Sequence, residues 1–216
     1  MKIYLVRHGE SRGNKDASEY FEKLDCEIEL TDKGKADAIS AGDKIMNILD
    51  TFNKNKMYLE LEPLCRFNLY HSSYKRAKQT ANIIHGRILG YQNYQINKFE
   101  ESPILREREW GGLRDIVEMG KKTEEHFNFY YRPHNGESFA DCYQRVMIFH
   151  QHLLTTSKYD HNIVVAHGEF NKLYVMYLLG WSVEEFNKWK TPRNGEVYLI
   201  DTETGLSSLT PLTLKN

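Results

Sequence analysis

A three-layer α/β/α fold, with helices on both faces of a mostly parallel central sheet, is what this 216-residue sequence predicts. Three observations carry the expectation. Short runs rich in β-branched and aromatic residues recur along the chain, stretches of helical periodicity separate them, and no repeat, low-complexity tract or proline-rich linker divides the whole. Strands that alternate with helices of this length pair in parallel, because each intervening helix returns the chain to the same end of the sheet. Apolar residues make up 40% of the chain, enough for a sizeable core. One domain over residues 1–216 is expected, with a partly helical cap segment near 114–138.

The elements follow in order. Lys2 to Val6 is the first strand, ended by charge at Arg7. Thr31 precedes Ala36, Ile39, Ile45, Met46 and Leu49, whose spacing lines one face of a helix. Asn53 to Phe67 reads as irregular, Phe67 to His71 as a strand, Tyr74 to Leu89 as a helix and Tyr94 to Ile96 as a short strand. Arg114 to Ser138 is a second irregular stretch, long enough to cover a site. Ser138 with Asp141 caps a helix from Phe139 to Leu154, Asn162 to Ala166 and Val197 to Ile200 are strands, and Ser182 with Glu185 forms a capping box for a short helix.

Charge excludes several classes of partner. Lysine plus arginine (29) nearly cancels aspartate plus glutamate (30), and the signs are interspersed, so neither nucleic acid nor an anionic membrane is expected as a partner. The first apolar run, Ile3 to Val6, is far shorter than a signal-peptide core or a membrane span, which predicts an unsecreted, cytoplasmic protein. Cys26, Cys65 and Cys142 show no C-x-x-C spacing and read as reduced thiols. His71, His85, His126, His134, His150, His152 and His161 lack ligand spacing such as H-E-x-x-H, so no metal is expected. No G-x-x-x-x-G-K-[ST] or G-x-G-x-x-G occurs, and no cofactor is expected.

In an open parallel sheet, ligands bind beyond the carboxyl ends of the strands, so the residues just after each strand matter most. The first strand runs into Arg7-His8-Gly9-Glu10-Ser11, the second into His71-Ser72-Ser73 and on to Arg76, and a later one into His167-Gly168. Glycine beside His8 and His167 lets backbone approach a ligand closely. Arginine offers a planar fork that matches phosphate oxygens, so Arg7 and Arg76 in one crevice read as a phosphate clamp.

Five blocks in order, Arg7-His8-Gly9-Glu10-Ser11, Ser73-x-x-Arg76-Ala77-x-Gln79-Thr80, Leu105-Arg106-Glu107 with Trp110-Gly111, Asn135-Gly136-Glu137-Ser138 and His167-Gly168, resemble the histidine phosphatase superfamily, whose fold is phosphoglycerate-mutase-like. The resemblance is nearest to its broad-specificity acid phosphatases. It implies that His8 is a nucleophile passing through phosphohistidine, that Arg7, Asn14, Arg76 and Gly168 bind phosphate, and that His167 hydrogen-bonds a non-bridging oxygen. It also implies Glu107 as general acid and base, with Glu109 two residues on as its competitor. Ser11, Trp110 and Arg132 are candidate substrate contacts, whereas Glu137 and Ser138 sit where a helix cap would need them.

Three functions fit these residues. The first is a metal-independent phosphomonoester hydrolase acting on a small phosphorylated metabolite or nucleotide. The second is a phosphoglycerate mutase, which returns the phosphoryl group to substrate; the cap stretch Phe129-Tyr130-Tyr131-Arg132-Pro133 offers one arginine where mutases of the family carry two. The third is a catalytically silent phospholigand-binding protein on the same fold.

Overall fold

The computed structural model describes residues 1–56, 65–91, 94–112, 127–157, 161–202 and 208–211. Among them run β1 (Lys2–Arg7), α1 (Arg12–Lys15), α2 (Glu19–Glu22), α3 (Asp32–Lys56), β2 (Cys65–His71), α4 (Lys75–Leu89) and β3 (Tyr94–Glu101). The second half carries α5 (Phe139–Thr156), β4 (His161–Ala166), α6 (Gly168–Leu179), α7 (Val183–Lys188), β5 (Val197–Asp201) and β6 (Ser208–Pro211). The strands form one sheet in the order β3-β2-β4-β1-β5-β6. The β3–β2, β2–β4 and β4–β1 pairings are parallel, and β5 and β6 add an antiparallel edge.

Ile3, Tyr4, Leu5 and Val6 are all buried because both faces of β1 are covered. Ile3 and Leu5 pack with Val146 and Phe149 of α5 and Phe170 and Leu173 of α6. Tyr4 and Val6 face the other way, toward Ala41 and Ile45 of α3 and Ala81 and Ile84 of α4. The helices that follow β1 and β2 thus lie on one face, and those that follow β3 and β4 on the other. Since β1 and β4 are neighbours, in register from Lys2↔His161 to Arg7↔Ala166, the chain leaves their carboxyl ends toward opposite faces. That divergence opens a crevice between them.

Several expectations are corrected. α3 continues past Leu49 to Lys56 and β2 begins at Cys65, so much of the stretch read as irregular is ordered; 57–64 lie outside the described residues. β3 runs on from Ile96 to Glu101. α6 and β6 were not foreseen. α6 buries Phe170, Asn171, Lys172, Leu173, Tyr174, Val175 and Met176 in succession, so it shows no amphipathic stripe for periodicity to detect. Of the expected cap, 114–126 lie outside the described residues, and 127–138 lead into α5 through Ser138, whose side chain forms a capping box with Asp141.

Candidate active site

His8 leaves β1 where its backbone still belongs to the sheet, its N–H donating to the Ala166 carbonyl at 3.0 Å. The next residue is packed too tightly to be anything but glycine: a Cβ on Gly9 would lie 2.0 Å from the carbonyl oxygen of Gly34, at the start of α3. The Gly9 N–H donates to Thr80 Oγ1 at 3.1 Å, and that hydroxyl donates to the Arg76 carbonyl at 2.8 Å, tying the loop after β1 to α4. The His8 ring is therefore buried with its orientation fixed.

Its tautomer follows from its partners. Nδ1 lies 2.7 Å from the Gly9 carbonyl oxygen, which can only accept, so Nδ1 carries the hydrogen and Nε2 the lone pair. Arg76 Nε donates to that lone pair at 3.2 Å. Burial first, then the Arg76 and Arg7 charges, hold the His8 pKa well below its ordinary value, so the ring is neutral. His167 stands 5.1 Å away between ring centroids, at 63°. Its pKa too is held well below the ordinary value, by burial and then by Arg76 and neighbouring groups. His167 Nε2 is 2.8 Å from Ser72 Oγ, at the end of β2, while Nδ1 is buried without a partner.

Two guanidinium groups frame these rings. Arg76 is buried at the start of α4 and is held on its outer side by Asp25. Arg7 Nη1 donates to the Pro192 carbonyl at 2.6 Å, while its Nε is buried without a partner. Gly168 makes room for it: a Cβ there would sit 2.7 Å from Thr191 Cγ2 and 3.3 Å from Arg7 Cζ. An orphaned buried N–H costs its full desolvation, which favours a ligand able to accept it.

Glu107 reaches the same place from the loop after β3. Its carboxylate accepts the backbone N–H groups of Glu169 and Phe170 at 3.4 and 3.3 Å, in the first turn of α6, and of Arg108 at 3.1 Å. Arg145 of α5 supports the loop from beneath, donating to the carbonyls of Ile104, Arg106 and Glu107 at 2.6, 3.0 and 3.3 Å. It pairs with both oxygens of Glu137, at 2.8 and 2.7 Å. Glu137 is thereby a structural tie between the cap and this loop. Glu109 accepts from the Tyr74 hydroxyl at 2.8 Å.

Residues 3–213 match the model of the histidine phosphatase superfamily, branch 1. The chain belongs to that family. Phosphoglycerate mutase-like protein AT74 of Arabidopsis thaliana is 30% identical over 217 residues, covering 94% of this chain and 66% of that relative's own length. Broad-range acid phosphatase DET1 of Saccharomyces cerevisiae is 23% identical over 291 residues, covering 95% of this chain and 86% of the relative. Among solved structures, mycobacterial glucosyl-3-phosphoglycerate phosphatase with VO3 superposes with a TM-score of 0.71 at 18% identity, covering 99% of each chain. The alpha-ribazole phosphatase of Shigella flexneri gives a TM-score of 0.63 at 21% identity over 100% of both. At these identities the superpositions speak for the phosphoglycerate-mutase fold alone.

In this member of the histidine phosphatase superfamily, Arg7, His8, Arg76, Glu107, His167 and Gly168 converge on the crevice between β1 and β4. Asn14 is nearby with its Oδ1 already accepting from Ser11 N–H and Asn194 Nδ2, at 3.1 and 3.0 Å, so only its amide hydrogens remain to offer a ligand. The three candidate substrate contacts fare differently. Ser11 is the buried N-cap of α1. Trp110 is buried under the Arg108 guanidinium, 3.7 Å from its ring centroid, and is not an open stacking platform. Arg132 is exposed and paired with Asp141.

Sequence reasoning missed four residues. Asn194 donates to the carbonyl of His8 at 3.1 Å, and Gly195 N–H reaches the Arg7 and His8 carbonyls at 3.1 and 3.2 Å. The Asn-Gly dipeptide before β5 was a usable turn signal for that brace. Ser72 was visible as a strand-end residue without a role. Nothing local marked Asp25. Among the described residues no group of three His, Cys, Asp or Glu side chains could hold a metal, and no helix is long and apolar enough to cross a membrane.

Proposed function

We propose that this histidine phosphatase hydrolyses phosphomonoesters of small metabolites or nucleotides through a phosphohistidine on His8. The observation that carries the reading is the His8 tautomer: Nδ1–H is fixed on the Gly9 carbonyl, which leaves Nε2 as a lone-pair nucleophile. In the first step Nε2 attacks phosphorus in line as the bond to the leaving oxygen breaks, and Glu107, protonated, gives that oxygen its proton. In the second, Glu107 takes a proton from water, the water oxygen attacks phosphorus, and His8 Nε2 recovers its lone pair. Arg7, Arg76, the His167 N–H and the Asn14 amide meet the non-bridging oxygens, so protein charge does what a metal ion does in other phosphatases.

The test is phosphate release from a panel of phosphomonoesters, with chelator present, by wild type and His8→Ala, together with trapping of acid-labile phosphohistidine. Wild type is expected to release phosphate and trap label; His8→Ala is expected to do neither. Unchanged release by His8→Ala overturns the mechanism. Interconversion of phosphoglycerates without net release assigns the chain to the mutases, and silence of the wild type on every substrate favours a binding role. Hydrolysis is preferred over mutase chemistry because the one arginine of the cap stretch is paired with Asp141 at the surface.

A further inference from the structure

Arg76 is almost fully occupied by protein. The Asp25 carbonyl oxygen and Oδ1 accept from Nη1 at 2.6 and 2.9 Å, and Oδ2 accepts from Nη2 at 3.4 Å. An arginine has five N–H groups in one rigid plane. Asp25 takes both hydrogens of Nη1 and one of Nη2, which leaves Nε and the second Nη2 hydrogen on a single edge. Nε is the atom 3.2 Å from His8 Nε2. A carboxylate spanning the terminal nitrogens therefore turns the remaining two-donor edge, the one that matches two phosphate oxygens, toward the histidine.

We infer that Asp25 is a positioning residue that presents the Nε–Nη2 edge of Arg76 to the phosphoryl group being transferred to His8. The inference rests on the reading of His8 as nucleophile. As phosphate enters, Arg76 Nε passes from the His8 lone pair to a phosphoryl oxygen, which frees Nε2 to attack while Asp25 keeps the guanidinium from following the ligand. Asp25 lies on the 3-10 turn Asp25–Glu27 between exposed Leu24 and Cys26, its side chain is 26% exposed, and it belongs to neither apolar core. Burial acts against the Arg76 charge, and Asp25, together with Tyr20 and Glu107, outweighs it.

A group that aligns a donor with the transition state is read in kcat, while one that only attracts an anion is read in KM. The experiment is steady-state hydrolysis of p-nitrophenyl phosphate by wild type, Asp25→Asn and Asp25→Glu, with inhibition constants for inorganic phosphate and for vanadate and a thermal melt of each protein. Asp25→Asn is expected to lose about tenfold or more in kcat with KM and the phosphate constant within about threefold, and to bind vanadate about tenfold more weakly. Asp25→Glu keeps the charge on a longer arm and is expected to show the same split. Wild-type kcat in Asp25→Asn overturns the inference, as does a rise in KM and in the phosphate constant at unchanged kcat. A fall in kcat that tracks a lowered melting temperature in both variants, with the vanadate-to-phosphate ratio unmoved, overturns it as well. A wild type that neither releases phosphate nor traps phosphohistidine overturns the underlying reading and this one together.

Discussion

Glu137→Gln tests how the loop that carries Glu107 is held. In the folded protein Arg145 faces Glu137 with side-chain exposures of 11% and 14%, the Nη2 to Oε2 distance being 2.7 Å. Removing one partner of a buried pair strands the other charge, at a cost of about 3–5 kcal/mol. Arg145 would keep its carbonyl partners at Ile104, Arg106 and Glu107. That places the expected loss at the lower end, about 3 kcal/mol. For a chain of this size each kcal/mol moves the melting temperature by about 2–4 °C, so a fall of about 6–12 °C is expected by calorimetry or circular dichroism.

The pH dependence gives the same pair a second signature. Burial pushes the Glu137 carboxyl up, but the Arg145 ion pair and hydrogen bonds outweigh it and hold the pKa below its ordinary 4.5. A depressed carboxyl contributes stability that is present above the unfolded value and lost as pH falls through the folded one. The wild-type and Glu137→Gln stability curves should therefore lie apart at neutral pH and converge below about pH 4.5. Replacing both partners, as in Glu137→Leu with Arg145→Met, removes the stranded Arg145 charge but leaves the three loop carbonyls without their donor and Arg106 without its carboxylate, so turnover should not recover. A Glu137→Gln melt within about 1 °C of wild type, or curves that stay parallel down to acid pH, would refute the reasoning.

Two further outcomes follow from the site. Because burial and the two arginines hold the His8 pKa well below 6.5, protonation sets in only at distinctly acid pH. The acid limb of kcat/KM, set by His8, should lie well below pH 6.5; an acid limb at or above that value contradicts a neutral, cation-flanked nucleophile. Gly168→Ala should raise KM for phosphomonoesters about tenfold, roughly 1.4 kcal/mol, at little cost to folding. The new methyl meets Thr191 Cγ2 at 2.7 Å and the Arg7 guanidinium at 3.3 Å. Adding Thr191→Ser should restore most of the loss, and a KM unchanged in Gly168→Ala would show that Arg7 does not depend on that contact.

Legibility in the sequence depended on how local the cause was. His8, Arg7, His167 and Gly168 stand within two residues of a strand end, so a reading of strand ends reaches them directly. Arg76 was legible because it lies one residue into α4. The helix caps at Ser138 and Ser182 were legible for the same reason, each bond spanning three residues. What escaped was set by distant contacts. Asp25 meets Arg76 across 51 residues and Asn194 meets His8 across 186. Trp110 looked like a substrate contact because residue type shows chemistry but not exposure, and the Arg108 guanidinium that covers it is placed by the loop as a whole.

The same long-range contacts explain why the site can be both buried and charged. Two imidazoles deep in the crevice are tolerable because both are neutral, and they stay neutral because burial and the adjacent arginines oppose protonation in the same direction. The arginines are tolerable for the opposite reason. Arg76 is neutralised by Asp25 and Arg145 by Glu137, while Arg7 keeps one buried Nε–H without a partner. His167 Nδ1 is also buried without a partner, so two such groups belong to side chains of the crevice, whereas Asp25 and Glu137 take up the charge of Arg76 and Arg145. A phosphoryl group entering between β1 and β4 therefore meets donors already aligned and carboxylates already engaged. That is the preorganised electrostatic environment on which the proposed phosphoryl transfer draws.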